Sequence, residues 1–176
     1  MLPEPAMLVV AVFSRYDEAL AWSRHRLSTE FGPIALAGEP FAFTQTDYYQ
    51  GTMGPNLQKQ LLAFEELVPP DHLANIKLRT NDLEKEFAAS AEFPEDRPLN
   101  LDPGILTLGK FMLATTKNQA HRIYLSQGIY AEVTLRFQAK SFAPWPWTYA
   151  DYREPYVIGF LNEVREYYRR KIRPRG

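Results

Sequence analysis

Cysteine is absent from this chain of 176 residues. Its absence excludes disulfides, thiolate metal sites and a cysteine nucleophile, and it fits a reducing compartment. No stretch approaches the roughly 20 apolar residues of a membrane-spanning helix, and the first residues lack the basic region and apolar run of a signal peptide. The net charge of −1 gives no global attraction to nucleic acid or to anionic membranes. We therefore expect a soluble, cytoplasmic protein with no membrane partner.

Phosphate-binding and metal-binding motifs are also missing. The chain has neither the Gly-x-x-x-x-Gly-Lys-Ser/Thr loop nor the Gly-x-Gly-x-x-Gly fingerprint, and residues 116–118 (TKN) resemble a guanine-reading tripeptide that lacks its carboxylate. Histidines 25, 72 and 121 do not have zinc-site spacing, so no dedicated metal site is predicted. Residue type alone leaves open a divalent cation such as magnesium, bound by the carboxylates of Asp102, Glu132 or Asp151.

The residues that are present suffice for one sizeable core. Hydrophobic residues make up 45% of the chain and aromatic residues 14%, and a single domain over residues 1–176 is the default for this length. Strand-like runs and helical stripes both occur along the chain. This combination predicts an α+β domain, with a mainly antiparallel sheet packed against several helices.

The hydrophobic pattern of the first quarter predicts a strand and a helix. The apolar run 8–13 (LVVAVF) predicts a buried strand. Residues 14–17 have capping-box spacing, with Asp in place of Glu, and the helix that follows extends to about Phe31. Gly and Pro at 32–33 are its stop signal. Residues 34–43 predict a weaker second strand, which Gly38 and Pro40 interrupt.

The next quarter predicts a loop followed by two helices. Residues 44–54 are rich in hydroxyls and aromatic rings and predict the loop. Apolar residues then repeat at helical spacing through 55–68, and Pro55 suits a first turn. Asp71 is expected to cap a second helix, whose buried stripe extends through 73–87. Beside this stripe lies a polar line formed by Lys77, Asn81 and Glu84.

The second half predicts short strands and one long helix. Residues 88–98 form a surface loop by composition, residues 99–101 a short strand, residues 102–104 (DPG) a turn, and residues 111–116 another strand. The last helix begins at Pro155, with an apolar stripe of Val157, Phe160, Leu161, Val164 and Tyr168.

A β-hairpin is the most specific local prediction. We interpret residues 126–128 (SQG) as a three-residue loop with Gly128 in the left-handed conformation. The register then pairs Leu125 with Ile129, Tyr124 with Tyr130, Ile123 with Ala131 and Arg122 with Glu132. A two-residue loop would oppose Ile123 with Glu132 and mix the faces. The predicted polar face carries Arg122, Tyr124, Tyr130, Glu132, Thr134 and Arg136. The predicted apolar face carries Ile123, Leu125, Ile129, Ala131, Val133, Leu135 and Phe137.

Basic and acidic side chains around this hairpin have the chemistry of an anion site. Arginine suits bidentate contact with phosphate or carboxylate, and a histidine beside a carboxylate can act as an acid or base. The predicted ligand-binding residues are Lys77, Asn81, Lys117, Arg122, Tyr130, Tyr149 and Arg153. The predicted catalytic residues are His121, Glu132 and Asp102. The alternative interpretation is structural: an Arg122–Glu132 cross-strand pair, a plain turn at 102–104 and a solvated helix edge at Lys77.

Aromatic residues and the basic C-terminal run have two interpretations each. Six rings either line a pocket for a planar ligand or pack in the core; they belong to Tyr48, Tyr49, Trp145, Trp147, Tyr149 and Tyr152. Cations at 169–175 complement the dipole of the last helix, which we favour over contact with nucleic acid.

Several runs together resemble one family. They are residues 43–44, 47–49, 53–54, 76–78, 80–81 with Glu84, 100–104 (NLDPG), 114–117 (ATTK), 121–125 (HRIYL), 128–135 (GIYAEVTL), 147–149 and 151–153. Over nearly its whole length the chain resembles the bacterial proteins classed as domain of unknown function 4416. The resemblance implies a bacterial protein and carries over no activity and no catalytic residue. The roles above therefore come from residue chemistry.

Two functions follow as hypotheses. The first is a site for an anionic small molecule, phosphorylated or nucleotide-like, with or without enzymatic activity. It requires the scattered site residues to converge on one cleft. The second is a non-catalytic module that binds protein or nucleic acid or serves assembly, including homo-oligomer formation. It requires a broad exposed aromatic patch instead.

Overall fold

A nine-stranded sheet is the centre of the computed structural model, which describes residues 1–44 and 49–173. Its strands are β1 (Ala6–Ser14), β2 (Ile34–Ala37), β3 (Phe41–Ala42), β4 (Gln58–Val68), β5 (Asn100–Leu106), β6 (Lys110–Thr115), β7 (Arg122–Ser126), β8 (Ile129–Gln138) and β9 (Ser141–Pro144). All strand pairs are antiparallel. The order is β2-β4-β1-β5-β6-β8-β7, with β3 beside β4 and β9 beside β8.

Helices cover the sheet on both faces. Within the described residues they are α1 (Asp17–Phe31), α2 (Gln50–Met53), α3 (Leu73–Ala88) and α4 (Pro155–Ile172). Leu8, Val10 and Val12 of β1 pack with α1 and α3 in one cluster, whereas the alternate residues of β1 pack with α4 in another. Burial on both faces explains the continuous apolar run of β1. The α+β fold with an antiparallel sheet is therefore as predicted.

None of the helices in the described residues combines the length and the apolar content that a membrane crossing requires.

Three predicted helices are confirmed, but two predicted caps are wrong. The buried stripes of α3 and α4 match the predicted ones, and α1 ends at Phe31, before the predicted stop signal at Gly32. The N-cap of α1 is Tyr16, and no side chain caps it. The Ser14 hydroxyl instead donates to the Pro98 carbonyl at 2.5 Å and accepts from the Tyr16 amide at 3.1 Å. Asp71 likewise lies in a 3-10 turn before α3 and is not its N-cap.

The predicted helix over 55–68 is wrong, because this segment forms β4. Residues 61–64 (LLAF) are all buried, as β4 lies between β1 on one side and β2 and β3 on the other. A strand with both faces covered shows no alternation, and its apolar residues can fall at helical spacing by coincidence. The predicted loop 44–54 contains the short helix α2; its residues 45–48 lie outside the described part.

The predicted turn at 102–104 is also wrong, because β5 continues through it. Asp102, Pro103 and Gly104 pair with Ala11, Val10 and Val9 of β1. On its other side β5 meets β6 only from Gly104 to Leu106. Proline donates no backbone hydrogen bond and is tolerated where a strand has a free edge. Pro103 lies where β5 and β6 have already separated.

The hairpin register is confirmed at three of its four predicted pairs, and the loop is different. Arg122 faces Glu132, Ile123 faces Ala131 and Tyr124 faces Tyr130, but Ser126 faces Ile129. The loop is the two-residue turn Gln127-Gly128, with φ of 51° and 79°, the left-handed pair that a type I′ turn requires. A bulge at Leu125 absorbs the extra residue and preserves the outer register.

The predicted apolar hairpin face is only partly buried. Ile123 and Leu125 are exposed because β7 is the last strand of the sheet. Along β8, Ile129 and Ala131 belong to the cluster near α3, whereas Leu135 and Phe137 belong to the cluster under α4. The register shift between β6 and β8 inserts Thr134 as a bulge, which turns the following residues to the opposite face.

Candidate functional site

The separation of β5 from β6 opens a cavity of about 640 Å³. Beyond the Gly104–Leu113 pair, β5 stays with β1 and β6 stays with β8, so the two strands diverge. The cavity is lined by five cationic and three carboxylate side chains: Lys59, Lys77, Arg97, Lys117, Arg122, Asp102, Glu132 and Asp151. They come from α3, four strands, two loops and the 3-10 turn Ala150–Arg153. Residues distant in sequence thus share one cleft.

Lys77 and Asp102 form an ion pair at the cavity wall. The Lys77 ammonium lies 3.3 Å from Asp102 Oδ1 and 3.3 Å from the Leu101 carbonyl. Burial raises the pKa of the Asp102 carboxyl, but the positive charges of Lys77 and then Lys59 outweigh it, and the net pKa is lowered. Lys77 lies on the buried side of α3, so it is part of the packed helix face and not of a solvated edge.

Glu132 is a buried carboxylate with three donors around it. His121 Nε2 lies 2.7 Å and Arg122 Nε 3.2 Å from its Oε1, while the Thr134 hydroxyl donates to Oε2 at 3.1 Å. A neutral His121 that donates from Nε2 leaves Nδ1 as the acceptor. The carboxylate therefore orients the imidazole ring.

Arg122 connects this cluster to the cavity rim. Its side chain is only 3% exposed. Besides Glu132, it donates to the Lys117 carbonyl at 3.0 Å and to the Tyr149 hydroxyl at 3.2 Å. The cross-strand pair of the structural interpretation is thus present, and the same guanidinium lines the cavity.

The Lys59–Asp151 ion pair was missed in the sequence, although Asp151 had been considered as a cation ligand. The Lys59 ammonium donates to Asp151 Oδ2 and lies 4.6–5.3 Å from the ring centroids of Tyr152, Phe43 and Phe13. The wrong helix assignment for β4 hid Lys59. A lysine beside a buried apolar run was the available signal, since buried lysines are rare without a partner.

A second cavity of about 440 Å³ shares Lys77, Arg97 and Thr116 with the first. It contains Glu84, whose Oε2 accepts from the Leu101 amide at 2.7 Å and whose Oε1 lies 3.8 Å from Arg97. Burial raises the pKa of Glu84 to about 6, against the opposing effects of the Leu101 hydrogen bond and the Lys77 charge. Arg97 also donates to Asn100 Oδ1.

The predicted site residues divide into three groups. Lys77, Asp102, Lys117, Arg122, Glu132 and Tyr149 line the larger cavity, and Asn81 lines the second. His121 contacts Glu132 from outside the lining. Two residues lie elsewhere: Tyr130 packs edge-on against Tyr124 at 5.3 Å, and Arg153 donates to the carbonyls of Thr148, Trp145 and Pro146.

The aromatic residues also divide. Tyr49, Tyr149 and Tyr152 line the larger cavity. The ring centroid of Trp147 lies 5.0 Å from that of Trp145 and 5.6 Å from that of His121, and both ring pairs are stacked. Trp147 therefore packs against the imidazole that contacts Glu132. Tyr48 lies outside the described residues.

In the described part of the chain, no three His, Asp or Glu side chains converge as a metal-binding group. The three cavity carboxylates are each engaged by a cation. Two buried polar atoms of lining residues, Asn100 Nδ2 and the Tyr152 hydroxyl, have no hydrogen-bond partner. Asn100 still helps to lower the pKa of the Asp102 carboxyl, although its amide nitrogen makes no bond of good geometry.

A family model described as "Domain of unknown function (DUF4416)" matches residues 4–168, and the chain belongs to this family. No curated protein and no solved structure matches it.

Proposed function

We propose that this member of the family binds a small anionic molecule, phosphorylated or nucleotide-like, in the larger cavity. The observation that carries the proposal is the excess of cations: five cationic side chains and three carboxylates surround about 640 Å³. That volume lies within the range of about 300–1,000 Å³ typical of small-molecule sites. Lysine and arginine supply the donors that phosphate and carboxylate groups require.

The aromatic lining supports a ligand with a planar part. Phe13, Phe43, Tyr49, Tyr149 and Tyr152 contribute to the same cavity. The Tyr149 ring is 53% exposed, and its hydroxyl is held by Arg122. A base or similar ring could stack there while its anionic group meets Lys117 and Arg97.

An enzymatic version of the proposal assigns the acid–base role to His121. Glu132 would hold the imidazole with Nε2 as donor, and Nδ1 would exchange the proton. Asp102, with its lowered pKa, would remain ionised and position Lys77. Binding alone does not require these roles, so they are tested separately. His121→Gln should abolish chemical conversion of the bound molecule but retain its affinity.

The binding proposal is tested by thermal shift and calorimetry with inorganic phosphate, AMP and ATP, each with and without Mg²⁺. The variants are Lys117→Met and Arg97→Met, chosen because both side chains line the cavity and are accessible to solvent. Lys110→Met is the matched control, since Lys110 is an exposed lysine at the start of β6 and does not line the cavity. Binding that weakens several-fold in the first two variants and not in the control supports the proposal. Absence of binding by every anion, or equal binding by all variants, overturns it.

A non-catalytic binding or assembly module is the second candidate. It is favoured by exposed apolar side chains on β7 and by the partly exposed Trp147. The basic end of α4 offers less support for nucleic acid, because Arg169 is paired with Glu166 at 2.6 Å. Retention on immobilised DNA or RNA that falls with salt and with removal of residues 169–176 would favour the nucleic-acid version.

A further inference from the structure

The two cavities meet at a border of three residues, Lys77, Arg97 and Thr116, which line both of them. Lys77 is nearly buried, whereas the Arg97 side chain is 42% exposed and Thr116 is exposed. Arg97 donates to Asn100 Oδ1, and a guanidinium has five N–H donors in all. Lys117 follows directly in the larger cavity. A molecule that extends from one cavity into the other therefore passes three cations, which suit its anionic part.

The second cavity follows one face of α3. Its lining residues Lys77, Asn81, Lys85 and Ala88 recur every three or four positions, so they form one stripe on the helix surface. At a rise of about 1.5 Å per residue, the stripe from Lys77 to Ala88 is about 16 Å long. The second cavity thus extends away from the border along the helix, and it offers space for a further part of a ligand whose anionic group lies at the border.

The second cavity differs from the first in chemistry, since none of its lining residues in the described part is aromatic. The carboxylates of Glu84 and Asp96 disfavour a second anionic group there. Glu84 Oε1 lies 3.8 Å from Arg97, beyond hydrogen-bond distance, so it can accept from a ligand. Within the described residues, the side chains of Asn81 and Lys85 form no hydrogen bond or ion pair. Such donors and acceptors fit the hydroxyl groups of a sugar.

We propose that the ligand is a nucleoside diphosphate sugar that spans both cavities, an inference that rests on the anion site of the proposed function. Its base lies among the aromatic residues of the larger cavity, and its diphosphate crosses the border at Lys77 and Arg97. Its sugar lies in the second cavity, where Asn81 and Lys85 donate to hydroxyl oxygens and Glu84 accepts from a hydroxyl group. Each part of the molecule thereby meets side chains of matching chemistry: rings for the base, cations for the phosphates, and polar groups for the sugar.

The test measures affinity by calorimetry for two matched pairs of ligands, ADP with ADP-ribose and UDP with UDP-glucose, which differ within each pair only in the sugar. In at least one pair the sugar-bearing member should bind about tenfold more tightly, the effect of one or two added hydrogen bonds. Asn81→Leu and Lys85→Met should each reduce this advantage several-fold and leave the affinity for the nucleoside diphosphate unchanged. Asp82→Leu is the matched control, since Asp82 is an exposed neighbour on α3 that lines neither cavity.

The outcomes separate this inference from the proposed function. If the nucleoside diphosphates bind and their sugar conjugates bind no more tightly, the inference is overturned and the anion site of the larger cavity stands. A sugar advantage that survives both Asn81→Leu and Lys85→Met, or that falls equally in Asp82→Leu, also overturns it, because the sugar then lies outside the second cavity. If none of these four ligands binds, and neither do phosphate, AMP and ATP, the proposed function fails and the inference fails with it.

Discussion

Substitution of Lys59 by methionine is the most direct test of the buried Lys59–Asp151 ion pair, whose two residues line the larger cavity. The side chains of Lys59 and Asp151 are 4% and 7% exposed, and the pair joins β4 to the 3-10 turn that precedes α4. Lys59→Met keeps most of the volume but leaves the Asp151 carboxylate buried without its cation. Removal of one partner of a buried ion pair costs about 3–5 kcal/mol.

The loss of stability is measured as a free energy of unfolding in urea and as a Tm in thermal melts, both followed by circular dichroism. For a domain of this size, about 1 kcal/mol corresponds to about 2–4 °C in Tm, so the variant should melt roughly 6–20 °C below the wild type. Lys59→Met/Asp151→Leu removes both charges, and it should be more stable than Lys59→Met alone, because no unpaired charge remains. Lys110→Met, at an exposed position, should stay within about 0.5 kcal/mol of the wild type.

Two results would refute this reasoning. One is a loss below about 1 kcal/mol in Lys59→Met, a value typical of an exposed pair. The other is a double variant whose destabilisation equals the sum of the two single ones, because that additivity is the mark of residues that do not interact.

Three further predictions concern single positions. Because the pKa of Glu84 is raised from 4.5 to about 6 by burial, its contribution to stability is present below pH 4.5 and lost as pH rises through 6. Glu84→Gln should therefore be up to about 2 kcal/mol more stable than the wild type at pH 8, with no such gain at pH 4, in parallel urea titrations; equal stability at pH 8 would contradict it. Gly104→Ala should destabilise the protein by about 1–3 kcal/mol, because the added Cβ would lie 2.5 Å from the Met112 carbonyl oxygen. Gly109→Ala is the control, since its Cβ would have no atom within 4 Å, and its Tm should stay close to that of the wild type in the same thermal melts. Tyr152→Phe removes a buried hydroxyl without a partner and should leave the free energy of unfolding unchanged or raised; a loss above about 1 kcal/mol would show that the hydroxyl is hydrogen-bonded.

Local sequence patterns correctly predicted the elements that are buried on one face only. The stripes of α3 and α4 were readable because a helix with one covered face repeats its apolar residues every three or four positions. The outer register of the β7–β8 hairpin was readable because side chains must match across each pair. The turn was not, since a two-residue loop with a bulge and a three-residue loop give the same outer pairs.

The elements covered on both sides were ambiguous. The strand β4 showed helical spacing because nearly all its central residues are apolar, and only the presence of β1 and β2 beside it makes it a strand. Asp102-Pro103-Gly104 has turn chemistry in isolation. It is extended because β5 pairs with β1 along its whole length.

The same distinction applies to the site. Residue chemistry was sufficient to nominate Lys77, Asp102, Lys117, Arg122 and Glu132, since charge and hydrogen-bonding capacity belong to each side chain wherever it lies. Their convergence, and the pairing of Lys59 with Asp151 across 92 positions, depend on how far β5 and β6 remain paired before they separate. That length is set by contacts between segments remote in sequence, which no local pattern encodes.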